Sequence, residues 1–363
     1  MKLEKIIQEI KEWELDKEAG KAVDTYQHDL IKPKGSLGKL EEISIRLAEI
    51  TGEMKYDINQ KEVIIFSADH GFSKYGVSAY PKDVTKQMTM SYLRGKAGAN
   101  VVAKANGADV TVVDMGIDGD IKNPLLINKK IRYGTDDFTK GPAMTLQEAK
   151  DAIYAGFEVT EGVIIKGADI IAPGEMGIGN TTSSSALLAV FAGLTAEQAT
   201  GRGSMINDET WKRKAKIVEQ ALEVNNPDKN KPIEVLAKLG GFEIAGAVGA
   251  YLACAKYRKP IVLDGFISTA AALAAMMIAP GAEKVMFASH KSAEIQHIYM
   301  LELLGLVPLL DLNMRLGEAT GASIGMQLIQ TASKVVNNMG TFSESGVNEA
   351  EKNLEMELER ISR

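Results

Sequence analysis

The stretch Ala168-Asp-Ile-Ile-Ala-Pro-Gly-Glu-Met-Gly-Ile-Gly-Asn-Thr-Thr182 changes character twice. Ile170, Ile171 and Ala172 form a short apolar run of the kind that fills a buried strand. Gly174, Gly177 and Gly179 follow, where the backbone can turn tightly and come close to a ligand. Asn180, Thr181 and Thr182 favour a helix start, and Ser183 to Leu194 (SSSALLAVFAGL) reads as the helix they open. Strand, glycine loop and helix start make a phosphate cradle, because N–H groups and the helix dipole point at one spot. The same order is also an ordinary tight turn in an α/β sheet.

Two named motifs nearly fit here. Gly174 to Thr181 has the spacing G-x-x-x-x-G-x-T, but Asn180 stands where a P-loop needs lysine. Gly177-x-Gly179 lacks the third glycine of a dinucleotide fingerprint, and no acidic residue closes the next strand at the expected distance. An NTPase and a nicotinamide oxidoreductase are both disfavoured.

The same grammar recurs on either side. Val63–Phe66 leads into Asp69-His70-Gly71, Val110–Val113 into Asp114-Met-Gly116, Ile261–Leu263 into Asp264-Gly265, and Val285–Phe287 into Ser289-His290. The intervals are long enough for crossover helices, which predicts an α/β fold: a three-layer, mainly parallel sheet covered by helices on both faces. Ligands of such sheets lie beyond the carboxyl ends of the strands. Asp69, His70, Asp114, Glu175, Asp264, Ser289 and His290 therefore form a candidate polar set, although Asp-Gly after a strand is also common turn chemistry.

The ends of the chain read differently. Leu3, Ile6, Ile7, Ile10 and Trp13 share one face of an amphipathic helix, and Leu37, Leu40, Ile43, Leu47 and Ile50 share another. The domain expectation is a helical segment 1–60, a large α/β domain 61–330 and C-terminal helices over 331–363 that pack with the first segment. Residues 117–144 show little periodicity, as binding flaps often do, and Thr145-x-x-Glu148 has the spacing of a capping box.

Composition narrows the function. With 363 residues the chain buries a large core, and a formal charge of −6 without a basic run disfavours nucleic acid. Cys254 is the only cysteine, which excludes a disulfide framework and fits a reducing cytoplasm. Ile244–Ala255 and Phe266–Ala279 are the most apolar helices, short of the ~20 residues a membrane span needs. Their alanines and glycines suit close packing. The four histidines (His28, His70, His290, His297) show no metal-ligand spacing, and no G-x-S-x-G elbow is present. No metal and no cofactor are expected. Glu318, between Gly317 and Gly321, is either a catalytic carboxylate or a helix-dipole partner. Lys214 reads by default as part of a solvated helix face.

Several blocks, in order, resemble the nicotinate-nucleotide–dimethylbenzimidazole phosphoribosyltransferase family. They include Lys32-Pro-Lys-Gly-Ser-Leu-Gly38, Ala68-Asp-His-Gly71, Gly76-Val-Ser-Ala-Tyr-Pro81, Val84-Thr-Lys-Gln-Met88 and Gly174-Glu-Met-Gly-Ile-Gly-Asn-Thr-Thr182. Gly201-Arg-Gly203, Ala288-Ser-His-Lys-Ser-Ala-Glu294 and Arg315-Leu-Gly-Glu318 complete the set. Three departures lie near nucleotide-facing loops: Ser204-Met205 for Thr-Gly, Ile295-Gln296 for Pro-Gly, and Ala319 for Gly.

The resemblance implies a large α/β domain with a small helical domain from both chain ends, and a homodimer. It implies transfer of phosphoribose from nicotinate mononucleotide to a benzimidazole nitrogen, for cobalamin lower-ligand activation. Glu318 is then the base, with Glu175 positioning azole or ribose. Gly177, Gly179, Asn180, Thr181, Lys214 and Ser292 are the expected phosphate and ribose contacts. Tyr80, Gln87 and Met88 are expected around the acceptor base, while Ser289 and His290 support the phosphate wall. The rival readings change the acceptor to adenine, another benzimidazole or a phenol, or make the chain a non-catalytic nucleotide-binding regulator.

Overall fold

The five apolar runs become parallel strands, and a sixth joins them. A computed structural model describes residues 2–203 and 207–347; the pair Ser204-Met205 and the 348–363 part of the expected C-terminal helices lie outside the described residues. In chain order come α1 (Lys2–Glu12), α2 (Lys17–Gln27), α3 (Lys39–Thr51), β1 (Lys61–Ala68), α4 (Val84–Leu93), α5 (Gly98–Ala105), β2 (Ala108–Gly116), β3 (Leu126–Asn128), α6 (Leu146–Ile165) and β4 (Ile170–Met176). There follow α7 (Asn180–Ala192), α8 (Ala196–Ala199), α9 (Asp208–Asn225), α10 (Pro232–Leu239), α11 (Phe242–Tyr257), β5 (Ile261–Leu263), α12 (Phe266–Ile278), β6 (Met286–Ala288), α13 (His297–Leu304) and α14 (Thr320–Asn338).

The sheet order is β3-β2-β1-β4-β5-β6, and every pairing is parallel. The expected α/β class is therefore borne out. From β1 the chain runs outward to β2 and β3, whereas from β4 it runs outward the other way. The crevice between β1 and β4 is the topological switch point, where such sheets open a ligand site beyond the strand ends. The central strands are buried on both faces, which explains their near-continuous apolar character.

Glycine decides one helix contact in this unit. A Cβ on Gly156 of α6 would stand 2.0 Å from the Gly246 carbonyl oxygen of α11, and one on Gly249 would stand 2.0 Å from the Ile153 carbonyl. The two backbones touch directly, so alanine at these positions would force the helices apart. This is the close packing expected from the Ala/Gly-rich helices. Helix α11 is buried from Phe242 to Ala255 because it lies inside the domain. Among the described residues, no helix is long and apolar enough to cross a membrane.

The chain divides into one compact unit of Met1–Trp13 with Gln60–Met326 and another of Glu14–Asn59 with Gln327–Arg363. Helix α1 thus groups with the sheet, where the sequence reading grouped it with the rest of 1–60. Its buried Leu3, Ile6 and Ile10 form the apolar stripe read from the sequence. In the second unit, Val23, Ala48 and Val336 form a core cluster. The Lys32–Gly38 block is a local tie there: Lys32 Nζ meets Glu41 Oε1 at 2.8 Å, and the Leu37 N–H donates to the same oxygen at 3.0 Å.

Three local expectations change. Strand β4 runs through Gly174 and Glu175 to Met176, so the glycine loop is shorter than read. Gly179, at φ 94°, is the N-cap of α7, and Asn180, Thr181 and Thr182 already lie within the helix. Residues 117–144, read as a segment of the kind that forms binding flaps, contain β3 and contribute none of the described cavity-lining residues. By contrast, the capping box forms as expected, with Glu148 N–H on Thr145 Oγ1 at 3.1 Å and Thr145 N–H on Glu148 Oε2 at 2.7 Å.

Candidate active site

A cavity of 470 Å³ opens at the switch point. Its walls come from the segment after β1 and α4 (Ser78, Tyr80, Met88), the end of β4 and the turn after it (Glu175 to Ile178), the start of α7 (Asn180, Thr181) and the ends of β5 and β6. A volume of this size suits a nucleotide-sized ligand.

Glycine lets two loops meet at the floor. A Cβ on Gly174 would stand 3.1 Å from the Glu318 carbonyl carbon, and one on Gly317 would stand 2.7 Å from Glu175 Oε1. The 317–319 loop therefore rests directly on the end of β4. Gly317, Glu318 and Ala319 have φ of 84°, 60° and 61° in succession. Such left-handed geometry is uncommon for residues with a Cβ, so the surrounding contacts must hold it. Asp264, at the end of β5, does so by accepting the Ala319 N–H at 3.2 Å and the Ala322 N–H at 2.9 Å. This aspartate caps α14 and fixes the 317–319 loop.

Two carboxylates sit side by side. The Glu318 N–H donates to Glu175 Oε1 at 3.3 Å, and Asn180 Nδ2 donates to Glu175 Oε2 at 2.5 Å. Burial pushes the Glu175 carboxyl up to about 8, against those two donors, and the Glu318 and Asp264 charges add to the rise. Glu318 is pushed up to about 6, mainly by burial and further by Asp264. The Tyr92 hydroxyl and the Ala99 N–H oppose that rise. Glu318 Oε2 is buried without a partner, as suits an oxygen waiting for a proton. Tyr92 itself is held well above the usual phenol range by burial and by both glutamates, so it stays a neutral phenol.

The strand-end set divides. Glu175, Asp264 and His290 line the cavity. The other four are engaged elsewhere. Asp69 Oδ2 accepts the Asp118 N–H, and Asp114 Oδ1 accepts the N–H groups of Gly116 and Ile117. Ser289 Oγ donates to the Leu263 carbonyl at 2.5 Å. His70 Nε2 lies 2.6 Å from Glu243 Oε1, with both side chains fully buried. That pair backs the glycine loop: a Cβ on Gly177 would meet Glu243 Oε1 at 2.9 Å and the Ala68 carbonyl oxygen at 2.8 Å.

Of the expected contacts, Glu318, Glu175, Gly177, Asn180, Thr181, Ser292, Tyr80 and Met88 line the cavity, while Gly179, Lys214 and Gln87 do not. Gly179 faces Val77 and Phe72, which a Cβ would approach at 3.2 and 3.3 Å. Gln87 is on the exposed side of α4. Lys214 is fully buried rather than solvated, and its Nζ donates to Thr181 Oγ1 at 3.0 Å and to the Gly201 carbonyl at 3.2 Å. Burial lowers its ammonium to about 8 against the pull of Glu294. It reaches the cavity wall through Thr181. Ser292 is braced by His297, whose Nδ1 accepts the Ser292 N–H at 3.1 Å while Nε2 meets Thr269 Oγ1 at 2.8 Å. The ring is a neutral Nε2–H tautomer, pushed down to about 3 by burial and by His290.

Sequence reading missed Tyr92, Glu243 and the bracing role of His297. Tyr92 looks like any aromatic on the buried face of a helix, and no local spacing links Glu243 to His70, 173 residues away. The Ser292–His297 interval was legible, but nothing local distinguishes a brace from a ligand.

The comparisons agree with this geometry. The family model described as Phosphoribosyltransferase matches residues 13–347. A Geobacter metallireducens protein named nicotinate-nucleotide–dimethylbenzimidazole phosphoribosyltransferase is 50% identical over 317 residues, 87% of this chain and 90% of its own length. One of the same name from Halalkalibacterium halodurans is 44% identical over 337 residues, 93% of this chain and 94% of its own. The crystal structure of CobT from Thermus thermophilus superposes with a TM-score of 0.88 at 42% identity, covering 92% of this chain and 100% of that one. With a parallel sheet open at its switch point and this breadth of likeness, the chain belongs to the nicotinate-nucleotide–dimethylbenzimidazole phosphoribosyltransferase family.

Proposed function

We propose that the chain transfers phosphoribose from nicotinate mononucleotide to 5,6-dimethylbenzimidazole, giving α-ribazole 5′-phosphate and nicotinate for assembly of the cobalamin nucleotide loop. It acts in the cytoplasm as a homodimer. The observation that carries this reading is Glu318: a carboxylate poised at about 6, with one buried oxygen unpartnered, on a rigid loop in the cavity.

The chemistry needs one base and no acid. As the C1′–N bond to the pyridinium breaks, its electron pair returns to the ring nitrogen, and nicotinate leaves without a proton. The lone pair of one azole nitrogen forms the new C1′–N bond. Positive charge then spreads over the azole, its second N–H becomes acidic, and Glu318 takes that proton. Glu175, neutral below about 8, holds the Glu318 amide without adding a second full negative charge. Thr181 and Ser292 contact phosphate or ribose, with Lys214 behind Thr181, and Tyr80 and Met88 flank the acceptor.

The test is a competition assay. Nicotinate mononucleotide is mixed with equal amounts of dimethylbenzimidazole, adenine and a phenol, and products are separated by mass. A dominant dimethylbenzimidazole ribotide is expected. A dominant adenine or phenol product would replace the acceptor, nicotinate release without ribotide would make the chain a hydrolase, and tight binding without turnover would make it a regulator.

A further inference from the structure

The loop Gly201-Arg-Gly203 is wedged between a carboxylate and an ammonium. A Cβ on Gly201 would stand 1.8 Å from Glu294 Oε2, so only glycine permits that contact. On the other side, a Cβ on Gly203 would meet Thr181 Oγ1 at 3.1 Å and Lys214 Nζ at 3.5 Å. Gly203 has φ 53°, and successive N–H groups around a left-handed residue converge as an anion nest. The Arg202 and Gly203 N–H groups donate to the Glu294 carboxylate. Its Oε2 is buried with no hydrogen-bond partner. Ser292 Oγ accepts the Glu294 N–H at 3.2 Å, tying this glutamate to the cavity wall. Both Glu294 and Gly203 line the cavity.

A carboxylate of the protein thus occupies donors that equally suit a phosphate: two amides and, behind them, a buried ammonium. We propose that Glu294 is an internal anion that holds the Gly201–Gly203 nest in shape and competes with the substrate phosphate for it, so that it sets the affinity for phosphorylated ligands. A phosphate entering beside an ionised Glu294 meets like charge at close range, and it gains the nest only as Glu294 gives it up. Glu294 is a positioning residue here, acting through the nest rather than on the reacting atoms. The identity of the phosphorylated ligand rests on the proposed reaction, whereas the nest and its occupant do not.

Glu294→Gln keeps the size and one acceptor oxygen but removes the charge. Titrated with inorganic phosphate by calorimetry, it is expected to bind about tenfold more tightly than the parent, a typical size for coupling between competing groups. KM for nicotinate mononucleotide should fall in parallel, while KM for nicotinate riboside, which has no phosphate, stays put. Unchanged or weaker phosphate binding would overturn the inference, as would equal shifts for nucleotide and riboside, which mark a merely structural role. Glu294→Ala, checked for folding by its melting temperature, must show the same tightening. The phosphate titration needs no turnover, so tighter phosphate binding in a chain that makes no ribotide would sink the proposed reaction and leave this inference standing.

Discussion

The Glu318 backbone N–H donates to the Glu175 side chain at 3.3 Å, so one carboxylate is positioned by the other. Both are buried, and both are pushed up, but to different degrees: Glu318 to about 6 and Glu175 to about 8. Glu175 is the harder of the two to ionise, so ionisation at neutral pH favours Glu318. Separation of two neighbouring carboxylates in this way is how a site assigns roles to chemically identical groups. The physical cause is local. Asn180 and the Glu318 amide favour ionised Glu175, yet complete burial outweighs them.

A base must be ionised before it accepts a proton, so kcat/KM should fall as pH drops through about 6. Glu318→Gln should remove that limb and reduce turnover by roughly 10²–10⁴-fold, the usual worth of general-base catalysis. Binding of nicotinate mononucleotide, followed by calorimetry, should persist. A pH limb unchanged in the variant would assign it to another group and return Glu318 to a helix-dipole role.

For Glu175 the expectation is the reverse. Glutamine mimics its neutral form, so Glu175→Gln should keep turnover within about tenfold of the parent near pH 7, one decade being ~1.4 kcal/mol. The folded-state value lies above the unfolded one. Its stabilising effect is therefore complete below pH 4.5 and is lost as pH rises through about 8. By pH 7 the penalty is roughly 3 kcal/mol for a group this deeply buried. Melting curves should show Glu175→Gln gaining on the parent as pH is raised from 4.5 to 8. A constant gap would mean that Glu175 ionises normally.

What was legible in the sequence follows the range of the interactions. Strands announce themselves locally, as Val63–Phe66 and Ile261–Leu263 do, because a strand buried on both faces must be apolar. That Glu318 and Glu175 line the cavity was legible from the strand-end and glycine pattern together with the family resemblance. The orientation of Gly179 was not, since a left-handed N-cap facing Phe72 and a phosphate-facing glycine look alike in sequence. Lys214 was misread for a related reason. Its helix carries Lys212, Arg213 and Lys216 as well, and only tertiary packing shows that one of these cations turns inward. The short β3 strand has three residues, too few to register as a period.

Lys214 lies buried behind the cavity wall, where a change can be read in both ligand binding and stability. Its Nζ donates to Thr181 and to the Gly201 carbonyl from a fully buried position, with the ammonium lowered to about 8. Lys214→Met preserves length and volume but removes the charge, and should raise KM for nicotinate mononucleotide by ten- to a hundredfold, about 1.5–3 kcal/mol for a hydrogen bond to a charged group. Because folding lowers this group below its unfolded value, the folded state binds fewer protons between about 8 and 10.5, and stability rises with pH across that window. The methionine variant should thus melt no lower than the parent at pH 7, and any advantage should shrink above pH 8. A large loss of stability at pH 7 would show that the buried ammonium holds the fold rather than the ligand.

His297 offers the sharpest separation of structure from chemistry. It touches no reacting group, yet its Nδ1 accepts the Ser292 N–H at 3.1 Å and its Nε2 meets Thr269 Oγ1 at 2.8 Å. Burial lowers the ring to about 3, so the unfolded chain takes up a proton near pH 6.5 that the folded chain refuses. Stability is then fully present above pH 6.5 and falls as pH drops toward 3. The raised glutamates act in the opposite sense over part of this range, so the comparison must be made between variants rather than along one curve. Against His297→Gln, the parent should lose about 2 kcal/mol more between pH 7 and pH 5, at ~1.4 kcal/mol per pH unit for one proton. The same variant frees Ser292 and should raise KM for the phosphorylated substrate while the limb near pH 6 stays in place. If that limb moved instead, His297 would be titrating with the base, and the neutral-brace account would be lost.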